Sequence, residues 1–286
     1  MEKGQISRTA QVTAGMRALH PVIDDDPAIF VDPLASSLID SQGARMLREL
    51  LPVMFEERMI HLRSMCIMRH RWVEDELVRA YQQGVTQLVI LGAGLDSFAY
   101  RCPENMRGLR IFEVDYPSTQ KWKQNRLAEI GLAPPVNLTF VPIDFQSDSL
   151  EFTLRENGLD FGSPAFISWL GVNIYLTREA TFGTLGTVAS KAAAGSAILF
   201  DVCLDHSVLD EPGRGQLDVL MKRVAARGEP ITCLFNPDDL IHELNNMGFG
   251  SVDYVNPEMV NEKYFNNRTD GLNNSAYYGL VKAAVR

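Results

Sequence analysis

The segment Thr86-Gln-Leu-Val-Ile-Leu-Gly-Ala-Gly-Leu-Asp-Ser restricts the fold of this chain more than any other. An apolar run of strand length ends directly in two glycines, Gly92 and Gly94. Glycine at such a place permits positive φ and lets a ligand approach the backbone. A continuous apolar run, without alternation, is the mark of a strand covered on both faces, as in a parallel sheet. The same texture recurs downstream. Strands are predicted at 109–115, 138–144, 164–170 and 196–202. Helices are predicted from Ser97, over 117–130 with Pro117 in the first turn, and over 178–194 with Thr177 as N-cap. Strands alternating with helices imply an α/β fold built on a parallel sheet.

The flanking segments differ. Residues 1–84 read as helical: 33–39 after Asp32, 44–51 up to Pro52, and a long stretch over 56–81. Ile60, Ile67, Val73, Leu77 and Tyr81 mark its apolar face, and Gly84 stops it. Beyond 204, helices are expected at 213–226 and 237–247, and strands at 251–255 and 276–281. For a chain of 286 residues this suggests a single domain. Its parts would be a helical lid (1–84), a cofactor-binding core (85–204), a helical insertion (205–249) and closing strands (250–286).

Composition narrows the partners. Asp plus Glu number 36 against 27 for Lys plus Arg, a formal net charge of −9. That balance argues against nucleic acid or an anionic membrane. No apolar stretch is long enough to span a bilayer, and the N-terminus lacks the apolar core of a secretory signal. A cytoplasmic location is therefore expected. Cys66, Cys102, Cys203 and Cys233 form no CxxC pair, which suggests free thiols rather than a zinc or disulfide framework. No metal site is expected, since HxxxH and HxH spacings are missing too.

In an open α/β sheet, ligands bind beyond the carboxyl ends of the strands. Four features fall there: Gly92, Gly94, Asp115 and Asp144. A dinucleotide fingerprint would place glycine at position 97, but Ser97 stands there, and no Walker-type phosphate loop occurs. Asp115 closes the second predicted strand, 21 residues after Gly94, where an acid can accept both hydroxyls of a ribose. Asp144 closes the third and can accept from an adenine amino group, with Phe145 over the ring. The set points to an adenosine-type cofactor without a diphosphate, S-adenosyl-L-methionine.

With these residues in view, the chain resembles the leucine carboxyl methyltransferase-like family of S-adenosylmethionine-dependent methyltransferases, including bacterial O-methyltransferases of secondary metabolism. The matching segments are Ser7-Arg-Thr-Ala, Asp32-Pro-Leu-Ala, Leu91-Gly-Ala-Gly-Leu-Asp-Ser, Phe112-Glu-Val-Asp-Tyr-Pro with Thr119-Gln-Lys, Val141-Pro-Ile-Asp-Phe and Ser168-Trp-Leu-Gly-Val-Asn-Ile-Tyr-Leu-Thr. The resemblance implies a Rossmann-like class I methyltransferase: a seven-stranded, mostly parallel sheet with its last strand antiparallel, under a helical N-terminal lid. It implies that Arg69 binds the cofactor's methionine carboxylate, a role suited to a guanidinium, with Arg71 as a neighbouring competitor. It also implies cofactor contacts at Gly92, Gly94, Asp115, Tyr116, Asp144, Phe145 and Leu170. Many members carry Glu where Leu170 stands. This departure favours the secondary-metabolite branch over a protein substrate.

Methyl transfer from a sulfonium needs mainly orientation, because the cofactor carries the reactive group. The expected acceptor is a small-molecule carboxylate, which is already ionised near neutral pH and needs no base. A phenolic, hydroxyl or nitrogen acceptor is the alternative, and a NAD-dependent oxidoreductase a more distant one. Tyr175 and His206, past the fourth and fifth strands, are candidate substrate-binding residues. Met54, Met59, Met65 and Met68 with Phe55 are candidates for an adaptable apolar wall. Homo-oligomerisation is left open.

Overall fold

The computed structural model describes residues 8–145, 147–226, 228 and 230–286; Ser7 of the first matching segment lies outside them. Helices α1 (Arg8–Ile23), α2 (Ala35–Leu38), α3 (Ser41–Leu50) and α4 (Glu57–Gln82) precede the sheet. The alternating region follows: β1 (Gln87–Leu91), α5 (Phe98–Arg101), β2 (Arg110–Asp115), α6 (Pro117–Glu129), β3 (Leu138–Pro142), α7 (Leu150–Glu156), β4 (Ala165–Trp169), α8 (Arg178–Lys191) and β5 (Ala197–Cys203). The chain closes with α9 (Glu211–Ala225), α10 (Pro237–Asn246), β6 (Phe249–Val255), α11 (Pro257–Val260) and β7 (Tyr278–Val285).

The seven strands form one sheet in the order β3-β2-β1-β4-β5-β7-β6. The pairs β1–β2, β1–β4, β2–β3 and β4–β5 are parallel, and β7 runs antiparallel to both β5 and β6. This is the Rossmann-like, mostly parallel sheet that the sequence led us to expect. Strand order reverses between β1 and β4, which opens a crevice at their carboxyl ends. Every residue of β1 is buried, as its unbroken apolar run requires.

Several boundaries differ from expectation. The helix after Ser97 is only one turn long, because Cys102 precedes Pro103 and takes up extended geometry. Strand β3 stops at Pro142, so Asp144 lies two residues beyond it rather than closing it. Helix α8 ends at Lys191 rather than Ala194. Helix α4 is not simply amphipathic, since every residue from Arg63 to His70 is buried. Its two buried arginines, Arg63 and Arg69, are neutralised by Asp24 and Asp201.

The N-terminal helices are tied to the glycine turn through Asp32. One Asp32 oxygen accepts from Arg17 Nε of α1 at 3.0 Å. The other accepts from Ser97 Oγ at 2.7 Å and from the Leu34 and Ala35 N–H groups at 3.2 and 3.1 Å. Arg17 Nη2 also donates to the Leu95 carbonyl at 2.7 Å, and Arg101 Nε donates to Ser97 Oγ at 2.8 Å. Ser97 therefore has a positive role. Where a dinucleotide loop would have glycine, the hydroxyl fastens the turn to the helical cover. Burial alone would push the Asp32 carboxyl up. The Arg17 charge, the Ser97 hydrogen bond and the Arg101 charge outweigh it and hold the group below its usual value.

A group lowered in the native state stabilises the fold above its unfolded pKa and loses that contribution as pH falls through the native value. Breaking a buried pair costs about 3–5 kcal/mol. Asp32→Asn should therefore lose about that much stability in urea denaturation at pH 7, and the gap from wild type should close as pH falls below about 4. A gap unchanged down to pH 3 would contradict the ionised role of Asp32.

Candidate active site

The crevice at the carboxyl ends of β1, β2 and β4 is a cavity of about 500 Å³. The end of β1 and the turn after it supply its floor, residues 90–96. Asp115 at the end of β2 with Tyr116 after it, Asp144 and Phe145 after β3, and Leu170, Gly171 and Val172 after β4 supply its sides. Thr9, Thr13 and Arg17 of α1 and Arg69 and His70 of α4 cover it. The structure thus brings together all eight residues expected to contact the cofactor.

The turn is shaped for close approach. Gly92 and Gly94 have φ of +67° and +47°. A Cβ on Gly92 would run into the side chain of Val172 from the β4 turn. The Gly92 and Ala93 N–H groups donate to the Val114 carbonyl at 2.7 and 3.1 Å, which anchors the turn to β2. Asp115 accepts from the Gly94 N–H through one oxygen and from the Tyr116 N–H at 2.6 Å through the other. Burial pushes its carboxyl above the usual value, against the pull of these two N–H groups and of the Lys123 charge. Each Asp115 oxygen keeps acceptor capacity towards the cavity. The Asp144 N–H donates to Asp148 Oδ2 at 2.8 Å, so the turn that carries Asp144 and Phe145 is closed on itself.

Arg69 is held by a partner that the sequence reading missed. Its Nη1 donates to Asp201 Oδ2 at 2.9 Å. The Tyr278 hydroxyl donates to the same oxygen, and the Gly171 N–H donates to Asp201 Oδ1 at 2.7 Å. The β5–β7 register sets Tyr278 opposite Cys203, two residues from Asp201 and so on the same face of the sheet. Arg69 Nε is buried without a hydrogen-bond partner. Gly171, at φ +69°, lies so close that a Cβ there would sit 2.6 Å from Arg69 Nη1. An acid inside the apolar run Ile198-Leu-Phe-Asp-Val was the available signal, because a buried carboxylate needs a partner.

Arg71, the competitor, is exposed; it pairs with Asp75 at 2.9 Å and donates to the Ile29 carbonyl at 3.3 Å. His70 also faces the cavity. Burial, with the charges of Arg17, Arg69 and Arg101, pushes its pKa well down and keeps it neutral. Its Nε2 lies 3.3 Å from Arg17 Nη1, where the imidazole nitrogen accepts.

A second cavity, of about 820 Å³, adjoins the first. It lies between α4 and α9 and reaches Cys203 and Tyr278 at the ends of β5 and β7. Thr9, Thr13, Arg69, Gly171 and Tyr175 line both cavities and form the junction between them. Its walls are largely apolar, among them Val12, Leu62, Ile174, Leu220 and Val224. Tyr175 is therefore where a substrate contact was expected. His206 is not: it lines neither cavity, and its Nε2 pairs with Asp218 of α9 at 2.9 Å on the outer surface. Met59 and Met65 line the second cavity, whereas Met54 and Met68 are fully buried in the core and Phe55 is exposed.

The residues of the first cavity fit the expected cofactor. Asp115 and the open glycine turn suit a ribose, Phe145 and Asp144 border a place for a planar base, and the unpartnered Arg69 Nε suits a carboxylate. Comparison with known proteins agrees. The family model for leucine carboxyl methyltransferase matches residues 10–189. A Bacillus subtilis (strain 168) protein named as an S-adenosyl-L-methionine-dependent methyltransferase, YktD, is 32% identical over 95% of each chain. A similarly named protein of Mycolicibacterium smegmatis is 31% identical over 77% of this chain and 74% of its own. Among solved structures, one described as a methyltransferase from Thermobifida fusca YX has a TM-score of 0.59 at 16% identity, covering 88% of this chain and 92% of that one. A DUF574 family protein from Streptomyces avermitilis has a TM-score of 0.56 at 14% identity, covering 99% of both. These two likenesses show the same fold. The matched family model, the near full-length relative and the glycine turn with its acids place the chain in the leucine carboxyl methyltransferase family of S-adenosylmethionine-dependent methyltransferases.

Proposed function

We propose that this enzyme methylates the carboxylate of a small, largely apolar molecule of secondary metabolism, forming a methyl ester. The observation that carries this reading is the junction of the two cavities at Arg69, Gly171 and Tyr175. When bound, S-adenosylmethionine supplies a sulfonium-activated methyl group. The chain's own residues orient and desolvate. Asp115 holds ribose hydroxyls, Arg69 holds a carboxylate through the donors that Asp201 leaves free, and the α1 and α4 side chains exclude water.

The chemistry available at the junction supports a carboxylate acceptor. An ionised carboxylate attacks without a base, and the junction residues include no histidine or acid. His70 is neutral and committed to Arg17, and His206 lies outside both cavities. The apolar walls of the second cavity favour a hydrophobic acceptor body. Leu170, in place of the glutamate that the family resemblance implies, supports a small molecule over a protein chain. The nicotinamide alternative gives way with the assignment of the family.

Three outcomes test this reading. A screen of apolar carboxylic acids and phenols should give products cleaved by mild base, as methyl esters are; base-stable aryl ethers would contradict the carboxylate assignment. Asp115→Ala should weaken S-adenosylhomocysteine binding more than tenfold in calorimetry, because hydrogen bonds to a charged group contribute about 1.5–3 kcal/mol each; unchanged affinity would remove Asp115 from the site. Asp201→Asn should raise KM for S-adenosylmethionine at least tenfold, since it loosens the Arg69 side chain. An unchanged KM would mean that Arg69 needs no such anchor.

A further inference from the structure

The second cavity contains a polar group that the proposed reaction does not use. His61 of α4 lines it and is only 5% exposed. Its Nε2 lies 2.8 Å from Asn273 Oδ1. The orientation of Asn273 is fixed independently, because its Nδ2 donates to the Gly271 carbonyl at 2.7 Å. Oδ1 is therefore the acceptor, and His61 donates from Nε2. In the neutral imidazole this leaves a lone pair on Nδ1. Among the described residues Nδ1 has no hydrogen-bond partner, and the ring lines the cavity. The Asn273 N–H donates in turn to Ser64 Oγ at 3.1 Å, which holds the pair against α4.

The position of His61 gives this group a meaning. His61, Met65 and Arg69 follow one another at four-residue intervals on α4, and all three line the second cavity. Residues at that spacing share a helix face. Eight residues of helix separate His61 from Arg69 by about 12 Å. The slot thus has a cationic end at the cofactor junction, an apolar middle at Met65 and a hydrogen-bond acceptor at its far end. Glu57, one turn before His61, also lines the cavity and accepts from Gln216 of α9 at 3.3 Å. Arg58 and Arg223 also line the cavity, but Arg58 Nε is paired with Glu56 at 2.5 Å, so the acceptor nitrogen of His61 and the Glu57 carboxylate beside it favour a hydrogen-bond donor at this end.

We propose that the His61–Asn273 pair is a specificity-determining site that recognises a hydroxyl group on the acceptor, at the end of the slot remote from the cofactor junction and about 12 Å along α4 from Arg69. The inference rests on the carboxylate reading above and adds the acceptor's length and its second functional group. His61 acts as a positioning residue at this site, too far along α4 to touch the reacting atoms.

The test is calorimetric binding of decanoic acid and 10-hydroxydecanoic acid to the S-adenosylhomocysteine complex. The wild type should bind the hydroxy acid roughly three- to tenfold more tightly, the worth of one hydrogen bond. His61→Phe and Asn273→Ala should each abolish that preference and leave S-adenosylhomocysteine affinity unchanged, which also shows that the variants fold. His61→Asn, which keeps a polar atom near the Nδ1 position, should retain part of it. Equal binding of the two acids by the wild type, binding of neither, or a preference that survives in His61→Phe would overturn the proposal. Failure of the wild type to bind S-adenosylhomocysteine would overturn the functional reading itself, and this inference with it.

Discussion

The buried ion pair between Arg69 and Asp201 is the contact on which the site depends. A guanidinium enclosed by protein must have a partner, since an isolated buried charge is strongly unfavourable. Asp201 is that partner, and it is shared: the Gly171 N–H and the Tyr278 hydroxyl donate to it as well. One carboxylate therefore joins helix α4, the turn after β4 and the antiparallel strand β7. Through it, the arginine is held at the wall common to both cavities. Pairing is also directional. Asp201 takes Nη1 and leaves the other donors of the Arg69 guanidinium unengaged by it, so the anchor does not use up the side chain.

The N-terminal helices are built into the sheet domain by the same logic. Asp32 receives Arg17 from α1 and Ser97 from the glycine turn, and Arg17 reaches the Leu95 carbonyl within that turn. Helix α1 covers the crevice with Thr9, Thr13 and Arg17 while its charges are satisfied beneath. The cover thus contributes lining to both cavities, and the shape of the second cavity depends on α4 and α9 as much as on the sheet.

Much of this was legible in the sequence, for specific reasons. The unbroken apolar run before Gly92 and its repetition downstream encode a parallel sheet, because burial on both faces leaves no room for polar residues. Gly92, Gly94, Asp115 and Asp144 could be placed near a ligand because topology sends strand ends to one edge. Arg69 was accessible only through family resemblance; nothing in its local pattern separates it from Arg71. His206 misled because closeness to a strand end along the chain does not fix where a side chain points, and Asp218 draws it to the surface. The His61–Asn273 pair spans 212 positions, and no local periodicity signals such a contact. The apolar lining from α9 was hidden likewise, since core-facing and cavity-facing residues look alike in sequence.

The central claim is that the crevice between β1 and β4 holds the adenosyl group and amino-acid end of the cofactor, with Arg69 at the junction to the acceptor slot. A crystal structure of the complex with S-adenosylhomocysteine tests it most directly. The account predicts the Asp115 carboxylate within hydrogen-bonding distance of the ribose hydroxyls, and the ligand carboxylate on Arg69 donors not taken by Asp201. A ligand bound elsewhere, or one in this crevice whose carboxylate makes no contact with Arg69, would contradict it.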